Sequence, residues 1–175
     1  GVNVNMAPVC EGTTEPNAFM YSRSLGQSPE VTADYIASVT ALMQEYQVGS
    51  VLKHFPGYGD NADTHTGSAV DNRSLEQLES CDLIPFRAGM DAGADAIMVA
   101  HTIVREIDPD TPASLSPAVH QYLRQEMGYD GVITTDDLVM DAITKQYGAG
   151  EAAVLAVLAG NDVLCCTEYA VQYEA

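Results

Sequence analysis

Basic residues are scarce in this sequence. Its 175 residues hold 7 Lys and Arg against 25 Asp and Glu, a formal net charge of −18 at pH 7. Such a field repels polyanions, and no Lys/Arg cluster offers the phosphate contacts that dominate nucleic-acid binding, so a nucleic-acid partner is not expected. The acidic excess reads as a solvated surface. Long apolar runs are also missing, and none approaches the roughly 20 residues of a membrane span. The 46% hydrophobic content suits one core, and a single domain over residues 1–175 is expected. The opening residues, GVNVNMAPVC, lack the basic start and apolar centre of a signal peptide. The chain starts on Gly and enters a strand-like run at once, which leaves an upstream part, and the choice between cytoplasm and secretion, open. The four Cys, at 10, 81, 165 and 166, form no CxxC. Buried free thiols are expected rather than a disulfide or zinc framework.

What is present alternates in period and punctuation. VNVNMAP (2–8) reads as a strand, followed by a loop with Gly12, Thr13, Thr14, Pro16 and Asn17. A helix is predicted from Ser28 as N-cap and Pro29 at its first position to a stop at Gly49, with Val31, Tyr35, Val39, Leu42 and Met43 at helical spacing. SVLKHF (50–55) is the next strand. Residues 74–93 read as a helix broken near Pro85, and 94–101 as a buried strand ending at His101. A helix capped by Ser116 ends at Gly128, GVITTDD (131–137) is a strand ending in two carboxyls, and a helix around 150–160 precedes a last strand at 161–166.

Five apolar strands separated by helices indicate a parallel α/β sheet with both faces covered. Open sheet and barrel both remain possible on this pattern. No GxGxxG or Walker loop follows the first strand, which argues against a nucleotide-binding open sheet. A full barrel has eight units and about 250 residues, so a barrel would here be part of one. Ionisable residues recur at the strand C-terminal ends (Lys53 and His54, His101, Asp136 and Asp137), the edge on which such folds build sites.

The segment KHFPGYGDNADTHTG (53–67) concentrates two of the four His, one of the two Lys and three Gly. Asp63 and His65, two apart in a loop, form a candidate acid/base pair, with a solvated turn as the plain alternative. Of Asp136 and Asp137, one carboxyl is expected to face a site while the other caps the next helix or bonds backbone amides, with two acids simply placed near a helix N-terminus as the plain alternative. Lys53 ends a buried strand, with an ordinary ion pair as its alternative, and His101 reads as a hydrogen-bonded core histidine.

KHFPGYGDNADTH followed by GVITTDDLVMDAI resembles the two signature regions of glycoside hydrolase family 3, in its bacterial β-N-acetylglucosaminidase branch. GVNVNMAPV, SRSLGQSPE, LIPFRAGMDAGADAIMVAHT and TPASLSP fall in the family's order, so the resemblance spans nearly the whole chain. It implies a TIM-type (β/α)8 barrel, here incomplete, with about five parallel strands. It further implies a retaining glycosidase with Asp136 as nucleophile, His65 as acid/base and Asp63 orienting it. Lys53, His54 and Arg23 would hold sugar hydroxyls, and Met140 would line the pocket. The implied partner is a carbohydrate containing N-acetylglucosamine, with no cofactor and no metal. Two departures stand out. Tyr58 replaces the usual second His of the loop, and the family's upstream strands are not in the chain, so exposed sheet edges invite self-association. The alternatives are a β-glucosidase or β-xylosidase of the same family, which generally lacks D-x-H, and an inactive fragment or binding module. A metal hydrolase using His54, His65, His101 and Asp136 would need ligands from three separate loops without an HxH.

Overall fold

The computed structural model describes residues 1–59 and 67–175. A parallel sheet in the order β1-β2-β4-β6 organises the chain, built from β1 (Val4–Asn5), β2 (Gly49–Phe55), β4 (Ala96–Val99) and β6 (Val132–Thr135). A second parallel pair, β3 (Val70–Asp71) with β5 (Ile103–Val104), lies in the loops that follow β2 and β4 and was not legible in the sequence pattern. The helices between strands are α1 (Pro29–Glu45), α2 (Leu75–Glu79), α3 (Leu83–Asp91) and α4 (Pro117–Gln121), the last running into a wider turn at Tyr122–Glu126. After β6 come α5 (Asp141–Thr144), α6 (Ala149–Ala159) and α7 (Tyr169–Tyr173). Alternation along the strands divides their side chains between two faces. Leu52, Ile97, Val99 and Ile133 join Ile36, Phe86, Val119 and Leu123 in the main core. Val51, Ala96 and Met98 form a separate cluster.

Four expectations need correction. The apolar stripe expected on α1 is largely outside: Val31, Tyr35 and Leu42 are exposed, while Thr32, Ala33, Ile36 and Thr40 are buried. The reason is close packing. A Cβ on Gly89 of α3 would lie 2.7 Å from Leu52 and 3.0 Å from Ile36, so the α1–α3–β2 contact admits only small residues around Ile36. The same helix ends at Glu45, not at Gly49; Gln47 takes the left-handed conformation, φ 56°, and Gly49 opens β2.

Pro85 does not break its helix. It is the third residue of α3, where backbone N–H groups have no partner inside the helix anyway, and the interruption falls at residues 80–82. Finally, residues 161–166 lie along β6 but make a single parallel bridge, Thr134 to Val163. Backbone bonds gather around Val163, whose N–H donates to Ile133 O and whose carbonyl accepts from the Thr135 N–H, and side chains supplement them on either side. Asp162 Oδ2 accepts from the Ile133 N–H at 2.8 Å, and Thr135 Oγ1 accepts from the Cys165 N–H at 2.9 Å. All four Cys are free, with only Cys10 fully buried.

Candidate active site

The site edge begins with a bulge. Between Leu52 and Phe55 the β2 register against β4 shifts, three residues of β2 spanning two of β4. Bulges turn side chains out of the regular alternation, and here they turn Lys53 and His54; the peptide joining them is cis. The His54 N–H, taken out of the ladder, donates to Glu11 Oε1 at 2.9 Å, and His54 Nδ1 lies 3.0 Å from the same oxygen. Glu11 is 1% exposed, and its Oε2 has no partner among the described residues. Sequence reading missed Glu11, although an acid at the end of the first strand-like run carried the same signal as Asp136.

One consequence is measurable. Glu11→Ala leaves the His54 amide and ring without their acceptor and is expected to cost roughly 1–3 kcal/mol of stability. The urea midpoint should fall at unchanged slope, with Glu11→Gln, which keeps an acceptor, falling less. Equal midpoints for the parent and Glu11→Ala would refute this reading.

Lys53 is half-buried. Burial pushes its ammonium below the usual range and the charge of Arg23 pushes the same way, while Asp136 and Glu11 push it back up. Arg23, Asp136 and Glu11 therefore each lie within electrostatic reach of Lys53. Arg23 closes a short turn at Tyr21–Arg23, is exposed, and points Nη1 at Met20 Sδ, 3.7 Å away. Asp136 follows β6, its N–H donating to Val99 O at 3.0 Å, which extends the ladder with β4.

The two carboxyls differ in what they bond. Asp136 Oδ1 accepts from the Asp137 N–H at 2.8 Å. Asp137 Oδ1 accepts from the N–H groups of Val139 and Thr167, which makes it the turn-capping residue of the pair. Met140 is buried at the N-cap of α5, with its carbonyl accepting from Ile143 and Thr144.

His101 is a core histidine. Its Nε2 faces the Asp137 carbonyl at 2.9 Å, and a carbonyl only accepts, so Nε2 carries the proton and Nδ1 accepts from the Ser114 hydroxyl at 2.7 Å. These bonds tie the turn after β6 in place. Tyr58 is buried and meets the His54 ring edge-on, centroids 5.5 Å apart. Asp63 and His65 lie outside the described residues. A cavity of about 650 Å³ opens among Gly12, Thr13, Thr14, Arg73 and Gln77; Lys53 and Asp136 do not line it.

A parallel α/β sheet with charged groups at its strand C-terminal ends places the chain in the α/β class, whose barrels and open sheets build their sites on that edge. The comparisons name the family. The model of the glycosyl hydrolase family 3 N-terminal domain matches residues 1–175, and the chain belongs to that family. It is 40% identical over 167 residues to a β-hexosaminidase of Stenotrophomonas maltophilia (strain K279a), covering 94% of this chain and 49% of that protein. A β-hexosaminidase of Nitrosomonas eutropha is 36% identical over 170 residues, 96% of this chain and 49% of the relative. The solved family 3 β-N-acetylglucosaminidase of Paenibacillus sp. FPU-7 superposes with a TM-score of 0.92 at 39% identity, over 98% of this chain and 34% of its own. The sheet is thus part of a TIM-type barrel, and the chain spans about half the length of the curated relatives it matches.

Proposed function

We propose that the chain carries the catalytic half-site of a retaining glycoside hydrolase that removes terminal β-linked N-acetylglucosamine. The observation that supports it most is that His54 is held by Glu11 at the C-terminal end of β2, beside Lys53, on whose ammonium the charges of Arg23 and Asp136 both act. The names carried by relatives 36–40% identical support the same reading.

Asp136 is the nucleophile: its carboxylate attacks the anomeric carbon as the glycosidic bond breaks, giving a covalent glycosyl-enzyme. His65, backed by Asp63, gives a proton to the departing oxygen, then takes one from the water that cleaves the intermediate. Two inversions at one carbon leave the configuration retained. Lys53, His54 and Arg23 bind sugar hydroxyls, and Met140 contributes an apolar wall.

The test is a substrate panel, applied to the polypeptide that carries this chain as the cell makes it. Aryl β-N-acetylglucosaminides should be cleaved at least about 100-fold faster than aryl β-glucosides, a discrimination that sites built to hydrogen-bond a substrate group attain readily. Chelator should leave the rate unchanged. Preference for glucosides, or loss of activity with chelator, would overturn the proposal.

A further inference from the structure

Arg73 stands between two buried carboxyls that lie apart in sequence. Its Nε meets Asp71 Oδ1 and Oδ2 at 3.1 and 3.0 Å, its Nη2 meets Asp71 Oδ2 at 2.7 Å, and its Nη1 meets Asp82 Oδ2. The backbone N–H of Arg73 also donates to Asp71 Oδ1, at 2.9 Å. Asp71 ends β3, and Asp82 immediately precedes α3. The side chains of the two acids are 1% and 4% exposed, and that of Arg73 is 26% exposed. Planar guanidinium against carboxylate is the strongest of the common side-chain pairings, and it fixes angle as well as distance.

Two glycines after β2 rest on this clasp. Gly57, φ +118°, lies so close to the Asp82 side chain that any Cβ would collide with it. Gly59, φ +53°, lies against the guanidinium, where a Cβ would be 2.7 Å from Arg73 Cζ and Nη2. The returning chain is held by the same group of elements: Ile103 N–H donates to Ala69 O at 2.9 Å, and Arg105 N–H to Asp71 O at 3.1 Å. Residues 57–59 and 69–73 therefore converge on one clasp, and the segment between them carries Asp63 and His65.

We propose that Arg73, gripped by Asp71 and Asp82, is a positioning residue of the reaction: it fixes both ends of the segment that delivers the acid/base pair. The proposal rests on the acid/base role given to His65 above. Arg73 itself touches no reacting atom. A clasp of this kind affects the proton given to the leaving group far more than sugar binding, because among the described residues the groups assigned to the sugar, Lys53, His54 and Arg23, make no hydrogen bond or ion pair with it.

Arg73→Ala, Arg73→Lys, Gly59→Ala and His65→Ala, made in the polypeptide that carries this chain, test it through kcat/KM for aryl N-acetylglucosaminides of graded leaving-group acidity. General acid catalysis contributes about 10²- to 10⁴-fold. Arg73→Ala is expected to lose about 100-fold on phenyl substrates and less than about 5-fold on dinitrophenyl ones, with Arg73→Lys partly restored. Gly59→Ala, which displaces the guanidinium while leaving it in the chain, should share the pattern. Equal losses across leaving groups would mark the clasp as merely structural and overturn the proposal, as would no loss. His65→Ala serves as the reference. If it shows no leaving-group dependence, the acid/base reading falls, and the proposal with it.

Hydrogen exchange judges the clasp independently of activity. In Arg73→Ala the amides of Gly57, Gly59 and residues 69–71 should exchange faster, while those of β4 and β6 are unchanged. Unchanged exchange at the two segment ends would overturn the proposal.

Discussion

Asp136→Ala is expected to abolish turnover of aryl N-acetylglucosaminides, lowering kcat by a factor on the order of 10⁴ or more, the scale seen when a covalent nucleophile is removed. The fold should survive the change. Asp136 is held in line by its backbone, whose N–H bonds to Val99 O, and among the described residues the side chain accepts one hydrogen bond, from the Asp137 N–H. Losing such a bond costs about 0.5–1.5 kcal/mol, a small part of the stability of a domain. The loss of rate would therefore be chemical.

Azide makes the assignment specific. A small anion that enters the space vacated by the carboxylate can attack the anomeric carbon in its place, forming a glycosyl azide of inverted configuration as the aryloxide leaves. Azide-dependent release of dinitrophenol from Asp136→Ala, absent in the parent, is the expected result. Asp137→Ala is the companion, because its carboxyl caps the turn and ties in Thr167; it should lower stability and retain measurable turnover. Retention of more than about 1% of the parent rate by Asp136→Ala would remove it from the nucleophile's role, since covalent catalysis by that residue could not be dispensed with so cheaply.

Much of this arrangement could be read in the sequence where one residue type has one physical meaning. Ser28-Pro29 and Ser116-Pro117 start helices because the hydroxyl accepts an orphan N–H and the ring needs none. The polar ends of apolar runs are where β2, β4 and β6 end, and His101 proved to be a core histidine as expected. The failures share a cause. On α1 Val31, Tyr35 and Leu42 point outward while Thr32, Ala33 and Thr40 join Ile36 inside, because the limit there is the room left beside Leu52 and Ile36, and no periodicity records room.

Glu11 gains its importance only when the bulge at Lys53–His54 releases an amide for it to accept. Arg73 gains its importance only when residues 57, 59, 71 and 82 meet, and nothing local announces such a meeting. Short-range chemistry is legible from short stretches. Clasps between distant segments are not.

His65→Ala is expected to separate substrates by leaving group. Phenyl N-acetylglucosaminide, whose departing oxygen needs a proton, should lose about 10²- to 10⁴-fold in kcat/KM, the usual worth of a positioned general acid. Dinitrophenyl N-acetylglucosaminide departs without one, so its kcat/KM, which reports formation of the glycosyl-enzyme, should change less than about 10-fold. Its kcat should still fall, because the second step needs His65 as a base to activate water, and the glycosyl-enzyme on Asp136 should accumulate as a burst. Asp63→Asn should show the same pattern more weakly, since the imidazole remains while its orienting carboxylate is gone. The contrast with Asp136→Ala is the decisive feature: the nucleophile is needed for every leaving group, the acid only for poor ones. If His65→Ala lost both substrates equally, the segment would be holding the sugar rather than moving a proton, and the acid/base assignment would pass to another group.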